Sequence, residues 1–104
     1  MNLSLLLTTV AKKSDARHLA VVALEHRFAA CIQILPRVES HYLLNKKKIS
    51  SREYLILAKT PPRQSKSLEK RWKKIHPYDC PELVTLSARA AAPYARWIRS
   101  SISR

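Results

Sequence analysis

The sequence predicts a single α+β domain in which apolar strands and amphipathic helices alternate along the chain. Its length of 104 residues is that of one domain, so we expect one domain over residues 1–104. Apolar residues recur with strand-like spacing in some segments and helix-like spacing in others. Glycine is absent, so the turns must use Asn, Asp, Ser and Pro, and a left-handed position is expected at a residue such as Asn45.

The first half of the chain predicts a strand, a helix and a long second strand. Residues 2–9 (NLSLLLTT) form a short apolar run that favours a buried strand. Ser14 is a good N-cap for a helix over residues 15–27 with one apolar face. A second strand covers residues 28–44 and is interrupted by Pro36, which suits a bend or an edge strand.

The second half predicts a hairpin, a basic helix, a short strand and a last helix. Residues 45–48 form a basic hairpin tip, and residues 52–60 (REYLILAKT) form the third strand. A helix with a narrow apolar stripe covers residues 64–75, and a fourth strand covers residues 83–86. Pro93 suits the start of the last helix. The residues predicted for its inner face are Tyr94, Trp97, Ile98 and Ile102.

This order, βαββαβ followed by a C-terminal helix, predicts a ferredoxin-like sandwich. In that fold, two helices cover one face of a four-stranded antiparallel sheet. The second and third strands are longer than the first and fourth. The extra residues of these strands would have unpaired edges, and pairing with a neighbouring subunit would cover these edges.

The chain is strongly basic, with a formal net charge of +13 and a pI near 10.4. Such a field attracts polyanions, for example nucleic acid. Solvation of the outer faces by Lys and Arg explains the same composition, and charge alone does not identify a partner.

The cellular location is expected to be the cytoplasm. The apolar start of the chain is too short to span a bilayer and has no basic residue before it, unlike a signal peptide. No membrane partner is therefore expected. Cys31 and Cys80 are expected to be free thiols in a reducing compartment.

The segment 76–83 (HPYDCPEL) brings several reactive groups together. Pro77 should end the preceding helix, and the segment leaves an imidazole, a phenol, a thiol and a carboxylate close together. His76 with Glu82 could act as an acid–base pair and Cys80 as a nucleophile, but neither arrangement has a third, orienting member. The sequence also has no glycine-rich phosphate loop. We therefore expect no enzyme activity.

Five blocks of residues carry a family resemblance. They are Phe28-Ala29-Ala30-Cys31, Ser40 with Tyr42, Lys59-Thr60, His76-Pro77-Tyr78 with Pro81-Glu82-Leu83, and Tyr94 with Trp97-Ile98. On these blocks the chain resembles the divalent-cation tolerance protein family, CutA, over residues 5–102. The resemblance implies a homotrimer similar in architecture to PII signalling proteins. It also implies a role in the response to copper and other divalent metal ions, without catalysis.

The chain departs from the family at several positions. The resemblance implies that copper-binding members of the family use three metal ligands: a cysteine late in the first strand and two adjacent histidines before the Pro-Tyr pair. Here these positions are Thr8, Ile75 and His76, so one of the three ligands is kept. Leu44 and Lys46 stand where the hairpin of relatives carries a Trp and a Gly.

The resemblance and the ligand chemistry together give the candidate site residues. Imidazole favours copper(II), while thiolate favours copper(I) and zinc, so copper(II) or another divalent cation is the expected bound species. Cys31 is equally explained as a buried strand thiol. The predicted metal ligands are His76, Glu82 and Cys31, and the residues of a ligand cleft between subunits are Lys59, Tyr78 and Tyr42. The alternative is a PII-like binder of a small anionic metabolite, or of a polyanion such as nucleic acid.

Overall fold

The structure is a computed structural model that describes residues 1–103; Arg104, the last residue of the predicted domain, lies outside the described residues. It confirms the ferredoxin-like βαββαβ order followed by a C-terminal helix. A short 3-10 turn, Pro62–Gln64, precedes α2. The elements are β1 (Asn2–Val10), α1 (Lys13–Glu25), β2 (Cys31–Leu44), β3 (Lys47–Thr60), α2 (Ser65–Ile75), β4 (Val84–Arg89) and α3 (Ala92–Ile102).

The four strands form one antiparallel sheet in the order β2-β3-β1-β4. The proline-bearing strand β2 is therefore at an edge, as predicted. The register between β2 and β3 shifts between Leu35 and Val38, and Arg37 has a positive φ of 52°. Pro36 thus lies in a bulge, where its missing N–H costs no central hydrogen bond.

The hairpin between β2 and β3 closes with a two-residue turn. Asn45 and Lys46 have φ values of 51° and 66°, the left-handed pair that a type I′ turn requires. The prediction for Asn45 is confirmed. The predicted start of the third strand at Arg52 is wrong, because the tight turn lets pairing begin at once, with Lys47 opposite Leu44.

The first helix begins and ends two residues earlier than predicted. Lys12 occupies the N-cap position without a side-chain cap, so Ser14 lies inside the first turn. At the C-terminal end, Arg27 takes a left-handed conformation with φ 57°. The N–H of Phe28 then donates to the carbonyl of Ala23, which closes the helix as a C-terminal glycine normally would.

The main core lies between the sheet and the two helices α1 and α2. Trp72 of α2 is fully buried there, and its Nε1 donates to the carbonyl oxygen of Leu19 at 3.1 Å. A second, smaller cluster joins Leu3 to α3. The large side chains that fill the main core are Leu6, Val10, Leu19, Ile56, Leu68 and Trp72.

The predicted inner face of the last helix is partly wrong. Ile98 and Ile102 are buried, together with Ala95, but Tyr94 and Trp97 are 37% and 50% exposed. The small Ala95 side chain brings α3 close to Leu3, which turns the two aromatic residues outward. Their rings stack on each other with centroids 5.8 Å apart.

The sheet face opposite α1 and α2 is apolar and largely uncovered, because α3 packs against only one end of it. Strand residues alternate between faces, so Leu7 lies on this face beside Leu57 and Val84. We call this surface the open sheet face; its apolar residues are Leu5, Leu7, Leu35, Leu55, Leu57, Val84 and Leu86.

The outer half of the β2–β3 hairpin extends past the rest of the sheet. Pairing between β1 and β3 stops at Val10 and Tyr54, whereas β2 and β3 stay paired to Leu44 and Lys47. The subunit is accordingly elongated, with dimensions of 45 × 24 × 22 Å. No helix within residues 1–103 has the length and apolar character to cross a membrane.

Candidate functional site

The segment after α2 crosses the end of the sheet and holds His76 against β1. The helix ends at Ile75, and His76 is extended, with φ −66° and ψ 139°. This is the conformation expected before a proline, because the ring of Pro77 disfavours a helical residue in front of it. The chain then turns so that Tyr78 lies close to His76, with ring centroids 5.1 Å apart.

Both ring nitrogens of His76 are engaged within the subunit. The backbone N–H of Tyr78 donates to Nδ1 at 3.1 Å, which places the imidazole proton on Nε2. That nitrogen then donates to Oγ1 of Thr8, at 2.9 Å. Thr8 stands where the resemblance implies a cysteine ligand in relatives, and here it holds the histidine by a hydrogen bond. A metal could reach Nε2 only after the nitrogen lost its proton and left Thr8.

Burial lowers the pKa of His76 below its ordinary value of 6.5, because the charged ring would lose hydration. Thr9, Asp15 and Glu53 act in the opposite direction but more weakly. The folded protein therefore holds the neutral ring.

This pKa shift predicts a loss of stability in mild acid. As the pH falls below 6.5, unfolded chains bind a proton that folded His76 resists, so the free energy of unfolding should decrease. The contribution is fully present above pH 6.5. Urea unfolding between pH 7.5 and about 5 should show this decrease, and His76→Gln should weaken it. His18→Gln, at an exposed position on α1, is the matched control and should leave the pH dependence unchanged. A wild-type profile as flat as that of His76→Gln would contradict the prediction.

Tyr78 also anchors the site through its hydroxyl. Its O–H donates to Oε2 of Glu53 at 2.8 Å, and Glu53 is only 8% exposed although it lies on the sheet face away from α1 and α2. Burial raises the pKa of Tyr78, and the hydrogen bond to Glu53 raises it further. The phenol therefore remains a hydrogen-bond donor over the physiological pH range.

Glu53 and Tyr78 line a cleft of about 680 Å³ between the 76–83 segment and the outer half of the long hairpin. Glu53, Asp79 and Glu82 are three of the seven acidic residues in a chain of net charge +13. The cleft thus concentrates carboxylates in a protein that is otherwise basic. Its lining residues are Thr9, Ser40, His41, Tyr42, Leu44, Glu53, Tyr78, Asp79, Cys80 and Glu82.

The cleft brings together three of the six predicted site residues. Tyr42, Tyr78 and Glu82 line it, and His76 lies just outside in contact with Tyr78. The structure thus brings two of the predicted metal ligands and two of the predicted ligand-cleft residues into one region of the subunit.

Cys31 and Lys59 lie elsewhere in the subunit. They are opposite each other in the β2–β3 ladder, and Lys59 is six residues along β3 from Glu53, a separation of about 20 Å. The ammonium group of Lys59 lies 5.4 Å from the ring centroid of Tyr94, and Cys31 packs beside the α3 cluster. Cys31 and Cys80 are both free thiols.

Glu53, His41 and Asp79 line the cleft but were not among the predicted site residues. Glu53 lies within residues 52–60, which were interpreted only as a strand. A carboxylate within this apolar strand is the signal that could have indicated a functional residue. His41 lines the cleft and donates to Oε2 of Glu39 at 3.0 Å; this exposed hydrogen bond lowers the pKa of Glu39. Nothing in its local sequence distinguishes His41 from a solvated strand residue.

A single subunit does not complete a metal site by itself. Among residues 1–103, no three His, Cys, Asp or Glu side chains are grouped so that they could hold a metal ion. A tight metal site at the cleft would therefore need ligands from more than one subunit.

Comparison with known proteins identifies the family. The family model described as CutA1 divalent ion tolerance protein matches residues 4–101, which is nearly the whole chain. The chain belongs to the CutA1 family. The resemblance found in the sequence is thus confirmed. CutA1 is a family of tolerance proteins and not of enzymes, in agreement with the expectation from the sequence.

Three CutA proteins match over more than nine tenths of their own lengths. The divalent-cation tolerance protein CutA of Thermus thermophilus is 35% identical over 96 residues, which cover 91% of this chain and 93% of that protein. The CutA structure from Synechococcus elongatus is 36% identical, with a TM-score of 0.91 over 98% of this chain and 91% of that one. CutA1 from Ehrlichia chaffeensis is 27% identical, with a TM-score of 0.93 over 99% and 97% of the two chains.

Proposed function

We propose that this chain is a cytoplasmic divalent-cation tolerance protein that forms a homotrimer and binds copper or another divalent cation in clefts between subunits. The observation that carries the proposal is the acidic cleft at the signature segment of a CutA1 family member. The free thiols Cys31 and Cys80 are typical of a reducing compartment.

The open sheet face supports self-association. A row of large apolar side chains on an uncovered sheet is unusual for a monomer, and Val84 and Leu86 are 44% and 48% exposed. The outer half of the long hairpin also has free edges, because residues 38–44 and 47–53 pair only with each other. Trimer formation would cover the apolar face and provide partners for these edges.

The donors of the cleft fit a divalent cation. Carboxylate oxygens of Asp79 and Glu82 suit hard cations, and His41 in the same lining carries the imidazole that copper(II) prefers. Because these side chains are not grouped closely enough to hold a metal by themselves, a neighbouring subunit would supply further ligands. Among the ligands predicted from the sequence, Glu82 is in the cleft, and His76 is adjacent to it. Cys31 would have to come from a neighbouring subunit, and so would Lys59 as a cleft residue.

The alternative of a small anionic metabolite is disfavoured at this cleft. An anion would meet the carboxylates of Glu53, Asp79 and Glu82 in one cavity, and like charges in a partly desolvated site repel strongly. The only basic side chain in its lining is His41. A cationic ligand is the better match.

Calorimetric titration of the metal-free protein with Cu²⁺ tests the metal proposal. We expect saturable binding with a simple ratio to subunits or trimers. Glu82→Gln should weaken the affinity about tenfold or more, because the substitution removes one charged oxygen ligand. The variant His76→Ala tests the metal ligand that the family signature predicts, and its copper affinity should also be lower than that of the wild type.

The matched control for that titration is Glu25→Gln, which removes an exposed carboxylate at the end of α1, away from the cleft lining. Its copper affinity should equal that of the wild type. Unsaturable heats in the wild type, or equal affinities for Glu82→Gln and Glu25→Gln, would contradict the metal site. Light scattering on the same sample should give the mass of three subunits, and a monomer mass would contradict the trimer.

A further inference from the structure

The outer surface of α2 and the turn before it carry a dense group of positive charges. This charged surface is on the helical side of the subunit, opposite the open sheet face. A trimer formed through the open sheet face would therefore leave the charged surface exposed to solvent. We call this surface the α2 basic face; its residues are Arg63, Lys66, Lys70, Arg71, Lys73 and Lys74. Five of the six are exposed and Arg71 is half-buried.

These charges form no close ion pair with a carboxylate among the described residues, although Glu69 and Asp79 line a hollow together with Lys70 and Lys73. Over residues 1–103, the one ion pair within 4.0 Å is His41 with Glu39, so no described lysine or arginine meets a carboxylate at that distance. Glu69 lies on the same helix and also forms no such pair. Five exposed cations and the half-buried Arg71 therefore lie along a helix of eleven residues, about 16 Å long, and its preceding turn. An anionic polymer would relieve their mutual repulsion.

A planar stack borders this basic face. The rings of His26 and Phe28 are stacked, with centroids 5.5 Å apart and planes at 18°. The guanidinium carbon of Arg71 lies 5.8 Å from the Phe28 centroid, and its Nη1 donates to Nε2 of His26 at 3.3 Å. Side-chain contacts thus hold the Arg71 plane in place. Planar cations and aromatic rings are the groups on which unpaired bases stack.

Two hollows that both have Phe28 in their lining connect the stacked rings to the basic residues of α2 and the turn before it. One, of about 270 Å³, is lined by Ser67, Lys70, Arg71 and Lys74 with Phe28. The other, of about 490 Å³, includes Arg63 in its lining. Neither hollow has a described carboxylate side chain in its lining, in contrast to the acidic cleft.

We propose that the α2 basic face binds single-stranded nucleic acid. The lysines and arginines contact the phosphates, and bases stack beside Phe28 and Arg71. A membrane surface fits less well, because Leu68 and Trp72 of α2 are fully buried and the partly buried Ile75 packs against the same core, so these residues cannot insert among lipid chains. This activity does not use the acidic cleft, so it is independent of metal binding.

Fluorescence anisotropy with a labelled single-stranded DNA of 20 nucleotides tests the proposal with the full chain. The variant Lys66→Gln/Lys70→Gln/Lys74→Gln removes three exposed charges and keeps good helix formers. Each lost phosphate contact in a single strand lowers the salt slope by about 0.7, or about fivefold in affinity at 0.1 M salt. We expect an affinity loss of about 100-fold and a salt slope lower by about 2.

The matched control is Lys46→Gln/Lys47→Gln/Lys48→Gln at the hairpin turn, which removes the same charge from a distant surface. We expect it to bind almost as tightly as the wild type. Equal losses in the two triple variants would overturn the proposal in favour of diffuse attraction. Absence of wild-type binding at 50 mM salt would overturn it outright.

Arg71→Lys separates stacking from charge. It keeps the positive charge but loses the planar group, so single-strand affinity should fall severalfold with an unchanged salt slope, while duplex affinity stays constant. Equal effects on the single strand and the duplex would overturn the stacking role. Vesicles containing anionic phospholipid provide the last comparison: tighter binding to them than to DNA would overturn nucleic acid as the partner.

Discussion

Replacing Trp72 with alanine is expected to lower the free energy of unfolding by about 3–5 kcal/mol. The side chain is fully buried between α1, α2 and the sheet, so its removal leaves a large cavity in the main core. The hydrogen bond from its Nε1 to the Leu19 carbonyl is lost as well. Urea unfolding followed by circular dichroism, at fixed protein concentration because oligomers gain stability with concentration, measures the effect.

The variant Trp72→Phe provides a graded control. It keeps most of the apolar volume but loses the N–H donor, so a smaller loss of about 1–2 kcal/mol is expected. If the alanine variant lost less than the phenylalanine variant, the packing described for the main core would be wrong.

Replacing Tyr78 with phenylalanine is expected to cost about 2–3 kcal/mol of stability. The substitution removes one oxygen, but that oxygen donates to the Glu53 carboxylate, which is 92% buried and would lose this donor. Hydrogen bonds to charged groups are among the stronger ones in proteins, and a buried charge is costly when left unpaired. Urea unfolding at pH 7 measures the loss.

Tyr42→Phe is the matched control, since it removes the same oxygen from the other tyrosine of the cleft. Tyr42 is 43% exposed, and its hydroxyl accepts only a long hydrogen bond of 3.4 Å from Ser51. A change below about 0.5 kcal/mol is expected. A double-mutant cycle of Tyr78→Phe with Glu53→Gln should give a coupling of about 1 kcal/mol or more, and additive effects would show that the two groups do not interact.

The order of elements could be predicted because it depends on local patterns. The apolar run at the start of the chain, the helical spacing around Leu68 and Trp72, and the proline after His76 each act within a few residues. Pro36 indicated an edge strand, and Asn45 indicated a left-handed turn, both for steric reasons that hold in any fold.

The predictions failed where the pattern of apolar residues did not determine the local structure, at the start of β3 and on α3. Residues 47–51 are polar except for Ile49 and resemble a loop in composition, yet they extend β3, because the tight turn at Asn45 and Lys46 starts the pairing at Lys47. Tyr94 and Trp97 have helical spacing with Ile98, but the close packing of Ala95 against the sheet decides which side of α3 is buried.

The fold class and the family follow from the sequence, because they depend on local patterns and motifs. Which side chains meet at the segment 76–83 depends on the folded structure. Thr8 and His76 are 68 residues apart, and Glu53 and Tyr78 are 25 apart, so their hydrogen bonds depend on strand register and on the path of the segment after α2. The contrast between the acidic cleft and the basic helix likewise arises only on folding. Net charge is a property of composition, but the potential at a surface depends on which charged residues the fold brings together.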